Sequence, residues 1–521
     1  MSIESIEALD GANQQDGFPR FAYSVLYADK AEDAALALSF ADADTPTEAD
    51  LLPDDEPAGF GTPKASNSAY EYDVAVIGGG PAGYASALRA AALGAKGILF
   101  EKDMIGGLCL NAGCVPSKIY LKTAEHLRIL QTAGERGIAA GEDVGIDMVK
   151  ALAYKNEIVA KLTTNVARLL RSSRVRVEAG EASLKNAHEI VCLGRVYSAE
   201  KIILCGGSRP AFPPIPGLSH SGVLTSGDIL NLPEAPSRLL ILGGGSAGCE
   251  LAAAFAAFGS NVMLVEPLPR ILSDMDAQIS EAIENVLKKE GVKVYTGISV
   301  NKILDRDGHP FVVTERGGVL CDKVLVAAGR TPDTSCLGAL ANEIAFENGS
   351  LDVNDYLETN IGNIYAAGDI ASPGGRSHTA YRMAEMAAEN AMGAKKALDL
   401  RVVPKVVFTS PSAASVGLTE AQAREKYGDD MVVGFCPLSA NVQAMISDSA
   451  EGFVKILADK KYGEFLGVHI VCADAAGMIA EPAALMRMEV TVHEAACEVL
   501  HAHPTYAEAF MEACANALGR R

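Results

Sequence analysis

No stretch of the chain reaches the roughly twenty consecutive apolar residues that a membrane-crossing helix needs. The nearest candidate, residues 239–265, is broken by Glu250 and by a glycine cluster. The N-terminus lacks the basic start and apolar core of a secretory signal, and its acids exclude a transit peptide. Basic charge is scarce as well. With 45 Lys and Arg against 66 Asp and Glu, the formal charge of −21 leaves no patch to displace counterions from a nucleic acid. Collagen-like and heptad repeats are missing, which excludes a fibrous role. The 11 cysteines are scattered and odd in number, unlike a secreted disulfide framework. These absences lead to the expectation of a cytoplasmic protein, without membrane insertion and without a nucleic-acid partner.

What remains is globular and large. A chain of 521 residues, 49% hydrophobic and 21% charged, suggests three or four domains with a core fit for an enzyme. The first 69 residues differ from the rest: 14 acids against three bases account for −11 of the net charge. Such a segment buries too little to offset chain entropy, so a mobile acidic extension is expected. The alternative is a small folded module using Phe21, Tyr23, Val25, Leu26 and Tyr27 as a strand.

From Tyr72 the pattern changes. The apolar run YDVAVI is followed by Gly78-Gly79-Gly80-Pro81-Ala82-Gly83, an Ala-rich helical stretch, and a second apolar run ending at Glu101. Strand, glycine turn, helix, strand and acid form the dinucleotide fingerprint in its proper context. Gly78 makes the turn, Gly80 lets phosphate approach, Gly83 lets helix and strand pack, and Glu101 can hold a ribose hydroxyl. The device recurs with Gly243, Gly245, Gly248 and Glu266. Gly243 lies 165 residues after Gly78, and Glu266 lies 165 after Glu101. Two nucleotides are expected. Beyond residue 402 the pattern turns to strands near 406–409, 453–457 and 464–470, with helices near Glu420 and Glu481, which suggests a separate α+β domain.

The reactive stretch is Gly106-Gly107-Leu108-Cys109-Leu110-Asn111-Ala112-Gly113-Cys114-Val115-Pro116-Ser117-Lys118. Two cysteines five apart, the second near a helix start, can close a disulfide, and a helix N-terminus favours a thiolate. The alternatives are two inert buried cysteines or half of a zinc site, for which no matching Cys/His pair lies nearby. His493, Cys497 and His501 fall at i, i+4 and i+8, the spacing of one helix face. A helix leading into a functional loop accounts for them, and no metal is expected.

In this order, from about residue 72 to 519, the segments resemble the flavin-dependent pyridine nucleotide–disulfide oxidoreductases. The redox motif, both glycine units, Gly329-Arg330-Thr331-Pro332, the Gly368-Asp369 pair and His501-Ala502-His503-Pro504-Thr505-Tyr506-Ala507-Glu508 carry the resemblance. It is strongest to the branch that oxidises dihydrolipoyl groups.

The resemblance implies an α/β fold with two Rossmann-like dinucleotide-binding domains, a C-terminal α+β dimerisation domain and the acidic N-terminal extension. Residues 1–69 would be the extension, 70–219 with 331–401 the FAD-binding domain, 220–330 the NAD-binding domain, and 402–521 the interface domain. FAD would meet Gly78, Gly80, Gly83, Glu101, Ala182, Gly206, Gly207, Ser208 and Asp369, with Gly375, Arg376, Ser377 and His378 as further contacts. Lys118 would sit near the flavin, paired with Glu250. NAD would be held through Gly243, Gly245, Gly248 and Glu266, with Val300 and Gly329 nearby. Cys114 would face the flavin and Cys109 the substrate. His503, oriented by Glu508, would be the acid–base acting on the disulfide of the other subunit.

The implied activity is that of a homodimer oxidising protein-bound dihydrolipoyl groups, through a Cys109–Cys114 disulfide and FAD, to reduce NAD. Its partners would be lipoyl-bearing proteins of 2-oxo acid dehydrogenase or glycine-cleavage assemblies. The alternative within the class is an NAD(P)H-dependent reductase of another low-molecular-weight disulfide. Mercury reduction is disfavoured, because the C-terminus lacks a vicinal cysteine pair. A non-catalytic scaffold is disfavoured by intact Cys109, Cys114, His503 and Glu508.

Overall fold

The run Tyr72–Ile77 (β1) is apolar and buried along nearly its whole length, as a central parallel strand must be when both of its faces are covered. The computed structural model describes residues 69–139, 141, 144–372 and 374–520. The expected mobile extension and its alternative strand near Phe21 fall outside the described residues.

β1 leads through the glycine turn into helix α1 (Pro81–Ala92) and on to strand β2 (Gly97–Glu101). Then come the short helix α2 (Gly107–Asn111) and two long helices, α3 (Cys114–Gln131) and α4 (Met148–Ser172). Strands β3 (Arg176–Ala179), β4 (Ala182–Leu184), β5 (Glu189–Cys192) and β6 (Arg195–Leu204) follow. β1 pairs in parallel with β2 on one side and with β6 on the other. The sheet runs β3-β2-β1-β6-β5-β4.

The second unit repeats the plan. Strands β7 (Val223–Leu224), β8 (Arg238–Leu242), β9 (Asn261–Glu266) and β10 (Lys293–Thr296) are joined by helices α5 (Ser246–Ala257) and α6 (Ala277–Lys289). An antiparallel meander, β11 (Val300–Arg306), β12 (His309–Thr314) and β13 (Gly317–Leu320), precedes β14 (Lys323–Val326). The five-stranded sheet is ordered β10-β9-β8-β14-β7, with every pairing parallel. The chain then returns to the first sheet. β15 (Ile364–Ala366) pairs in parallel with β6, and helix α7 (Ser377–Ala391) packs against α1.

The C-terminal part is an antiparallel sheet of β16 (Lys405–Val407), β17 (Ser412–Gly417), β18 (Met431–Pro437), β19 (Phe453–Asp459) and β20 (Phe465–Cys472). Its order is β16-β17-β20-β19-β18, with helix α8 (Glu420–Tyr427) between β17 and β18. Helices α9 (Ala480–Arg487), α10 (Val492–Cys497) and α11 (Glu508–Ala517) complete it. The first sheet, parallel over β3-β2-β1-β6 with an antiparallel β5-β4 edge, the parallel second sheet and the antiparallel C-terminal sheet are the α/β architecture expected from the sequence. Among the described residues, no helix is long and apolar enough to cross a membrane.

Candidate active site

The two glycine turns are near copies in space. Gly78 and Gly243 have φ of 104° and 109°, a left-handed region that side chains resist. A Cβ on Gly83 would lie 1.6 Å from the carbonyl oxygen of Gly78, and one on Gly248 2.0 Å from that of Gly243. Helix and strand therefore approach too closely for any other residue. Helices α1 and α5 begin after Gly80 and Gly245 with no side chain capping them, so their N-terminal N–H groups face the cradle. Such an end suits a pyrophosphate.

The two acids also match. Glu101 accepts from the N–H of Gly79 at 2.6 Å and of Asp103 at 2.8 Å. Glu266 accepts from Gly244 at 2.6 Å and from Leu268 at 2.8 Å. Each carboxylate is thus pinned by one backbone donor per oxygen and keeps lone pairs for ribose hydroxyls. Both cradles fit a dinucleotide.

The first cradle opens into a cavity of about 510 Å³. Its walls include Gly78, Gly80, Glu101 and Ala182, then the Gly206–Gly207–Ser208 turn, Asp369 and Gly375. A side chain at Gly206 would meet the Asp333 carbonyl oxygen at 2.7 Å, which accounts for glycine there. Arg330 is a wall residue that the sequence reading passed over. Its Nε donates to Ser208 Oγ at 2.7 Å, and Ser208 Oγ donates to Asp369 Oδ2 at 2.5 Å. Its signal in the sequence was the Gly329-Arg330-Thr331-Pro332 motif, to which no role for the arginine was attached.

Cys109, Cys114 and Ser377 complete the wall. Cys109 lies on α2 and Cys114 is the first residue of α3, whose preceding Gly113 offers no capping side chain. Both cysteines are free thiols in this structure. Ser377, the first residue of α7, donates to Cys109 Sγ at 3.1 Å, and its Oγ lies 3.4 Å from Cys114 Sγ. The thiols are electrostatically unequal. The Cys109 thiol beside it, then Ser377 and Lys118, hold Cys114 below the ordinary thiol range against the cost of burial. The bond to Cys114, followed by burial, pushes Cys109 up.

One turn along α3, Lys118 Nζ donates to Glu250 Oε2 at 2.7 Å and lies 4.6 Å from the centre of the Phe408 ring. Glu250, on α5 and buried, also accepts from the N–H of Phe408 at 3.0 Å. This pair ties α3 to the second unit and to the start of the C-terminal part.

Other sequence candidates lie elsewhere. His378 Nε2 meets the carbonyl oxygen of Pro404 at 2.9 Å, and burial holds its imidazole below the usual range. Arg376 reaches Asp274 at 3.5 Å. Val300 opens β11 beside a register shift, and Gly329 has a φ of 101° with open space where a Cβ would project. His503 is not on the cavity wall: its side chain is 66% exposed, with Nδ1 2.8 Å from Glu508 Oε1. Glu508 also accepts from the Thr505 N–H at 2.9 Å, and these two bonds hold its carboxyl below the ordinary range. A histidine braced by a carboxylate and open on its other nitrogen is equipped to exchange a proton with a group brought from outside the chain. As for the His493–Cys497–His501 spacing, α10 ends at Cys497, and His501 turns to Glu481 at 2.8 Å. Among the described residues no cluster of potential ligands could hold a metal ion.

The chain is similar to known proteins over most of its length. Residues 72–393 match the family described as pyridine nucleotide-disulphide oxidoreductase, and residues 403–514 match the dimerisation domain of the same name. The chain is 39% identical to a dihydrolipoyl dehydrogenase of Thermus scotoductus, over 85% of this chain and 96% of that protein. It is 36% identical to a dihydrolipoyl dehydrogenase of Geobacillus stearothermophilus, over 87% and 97%. Among solved structures, the HOCl-induced flavoprotein disulfide reductase RclA from Escherichia coli superposes with a TM-score of 0.77 at 29% identity, covering 86% of this chain and 99% of that one.

Proposed function

Because the chain belongs to the pyridine nucleotide–disulphide oxidoreductases, we propose that this FAD-dependent enzyme oxidises protein-bound dihydrolipoyl groups, with NAD as the electron acceptor. The observation that carries the reading is the unequal sulfur pair on the cavity wall, with Lys118 and Glu250 behind it. The relatives named dihydrolipoyl dehydrogenase support the choice of substrate.

In this reading the pair starts as a Cys109–Cys114 disulfide. A substrate thiolate attacks Cys109 Sγ, the sulfur–sulfur bond breaks, and Cys114 leaves with the electron pair as a thiolate. Ser377 and Lys118, which still act on Cys114 when Cys109 is bonded to substrate, make Cys114 the better leaving group. The second substrate thiol, deprotonated, then attacks the substrate sulfur of the mixed disulfide. Substrate leaves as a cyclic disulfide and Cys109 is released. His503 takes the proton, and Glu508 fixes its orientation. Its exposure in one chain supports a site completed by a second copy, across the interface of the dimerisation domain. FAD, held by Gly78, Gly80, Glu101, Ser208 and Asp369, supplies when bound a two-electron relay between dithiol and nicotinamide. Glu266 favours NAD, since its carboxylate suits a ribose hydroxyl and repels a 2′-phosphate. Within the proposal residues 70–219 and 331–401 hold FAD, 220–330 hold NAD, and 402–521 pair the two copies.

The likeness to a flavoprotein disulfide reductase favours one second reading, in which reduced nucleotide drives the same pair to reduce another small disulfide. One panel separates the two: NAD and NADP with dihydrolipoamide, then NADH and NADPH with lipoamide, glutathione disulfide and CoA disulfide. Turnover confined to the lipoyl pair with NAD is expected. Faster turnover of another disulfide would overturn the substrate assignment.

A further inference from the structure

Resting on the reading of Cys109 and Cys114 as the exchanging pair, we propose that Ser377 is a positioning residue whose single hydroxyl hydrogen bonds to whichever of the two sulfurs carries the negative charge. One oxygen lies within hydrogen-bond reach of both atoms, 3.1 Å from Cys109 Sγ and 3.4 Å from Cys114 Sγ. A hydroxyl carries one rotatable proton and two acceptor lone pairs, so it can donate to one sulfur while accepting an S–H from the other. In the mixed disulfide Cys114 is the thiolate, and Cys109 is released as a thiolate when substrate leaves; a fixed amide donor could serve only one of these sulfurs. The hydroxyl keeps its proton throughout; only its direction changes.

Backbone geometry holds the oxygen there. Ser377 opens α7, which is anchored along its length: Tyr381 is bonded to Tyr84 of α1, and Ser86 donates to the carbonyl oxygen of Ala384 at 3.2 Å. No side chain caps α7 at Arg376, so the positive end of the helix lies at the same spot. The other groups acting on the sulfurs are Lys118 and Glu250, with opposite signs at Cys114, and Tyr84 and Arg330. Ser377 is the residue that hydrogen bonds to both sulfurs, and the other groups stay in place when only Ser377 is changed.

The test uses two single-thiol enzymes, Cys109→Ser and Cys114→Ser, each with and without Ser377→Ala, purified with FAD. The ionisation of the remaining thiol is read from the pH dependence of iodoacetamide alkylation. In the Cys109→Ser pair it is also read from the long-wavelength absorption of a thiolate against flavin. Losing a hydrogen bond to a charged sulfur should raise the titration midpoint by about one pH unit in both backgrounds. Ser377→Thr, which keeps the hydroxyl, should restore both midpoints and covers the case in which the alanine chain folds poorly. An unchanged midpoint in either background would overturn the sharing. Alkylation reports the thiol with or without the absorption band. A parent enzyme lacking the band would count against the redox reading, while the Ser377 comparison would still stand or fall on its midpoints.

Discussion

Replacing Asp276 by alanine removes the centre of a buried charge network that joins the second nucleotide unit to the C-terminal sheet. Asp276 Oδ1 accepts from Lys455 Nζ at 2.6 Å and from the Gln278 N–H at 3.1 Å, capping α6; Oδ2 accepts from the Glu420 N–H at 2.9 Å. Lys455 of β19 is 1% exposed, and its other charged partner is Glu420 Oε2 at 3.0 Å. At 2.6 Å and an effective dielectric of about 20, the Asp276–Lys455 attraction is about 6 kcal/mol, much of it offset by desolvating both charges. Removing Asp276 breaks the buried pair and leaves the ammonium with Glu420 as its carboxylate partner. The expected cost is about 3–5 kcal/mol for breaking the buried pair and about 1 kcal/mol for the lost cap.

Lys455→Met behaves differently, because Asp276 keeps its two backbone donors and the methionine fills similar volume. Its cost should be about 1–3 kcal/mol, and the double variant should be more stable than Asp276→Ala alone. The assay is thermal unfolding of the dimeric holoenzyme in excess FAD, followed by circular dichroism, so that flavin loss does not enter the comparison. At about 2–4 °C per kcal/mol, Asp276→Ala should lower the first transition by roughly 10–20 °C. A shift of under about 3 °C, or a double variant less stable than Asp276→Ala, would refute the reasoning.

Three further outcomes follow from the same structure. His469, buried beside Asp276, Lys455 and Glu420, has an imidazole that burial lowers to about 4, so the fold holds it neutral. Its contribution is complete above about pH 6.5 and is lost as pH falls toward 4, roughly 3 kcal/mol in all; a His469→Gln chain with the same acid profile in urea unfolding would refute this. Catalytic efficiency with NAD should exceed that with NADP by at least about tenfold, and Glu266→Ala should narrow the gap; equal efficiencies in the wild type would contradict the role of Glu266. Mixing inactive Cys109→Ser and His503→Gln chains should restore part of the dithiol turnover once subunit exchange is verified. No recovery would place His503 and the sulfurs of each site in one chain.

The glycine units were legible because local chemistry dictates them. A buried strand, a left-handed Gly78, a close approach at Gly83 and an acid at the end of the next strand occupy about thirty residues, and their second copy made chance implausible. The sulfur pair was legible for the same reason. What was hidden depends on long-range packing. Ser377 meets Cys109 from 268 residues away, and Arg330 meets Ser208 across 122. Lys455 and Asp276 were not singled out, because nothing local in the sequence says that the surrounding elements will close over them. The α10 face failed for a local reason that sequence could have offered. Thr491 and Glu494 form a capping box that starts the helix at Val492, and the chain leaves it after Cys497, before His501.

The most direct test of the account is to trap the exchange itself. In Cys114→Ser, a lipoyl domain supplied in its disulfide form should be attacked by Cys109. The lipoyl sulfur–sulfur bond breaks, a Cys109–lipoyl disulfide forms, and the freed lipoyl thiol, which would otherwise re-close the ring and release Cys109, is capped by a maleimide added after mixing. Intact mass followed by peptide mapping should find one lipoyl domain per chain, on Cys109, and none in Cys109→Ser/Cys114→Ser. An adduct on the exposed Cys497 alone, or none on Cys109 while the wild type turns over dihydrolipoamide, would contradict it.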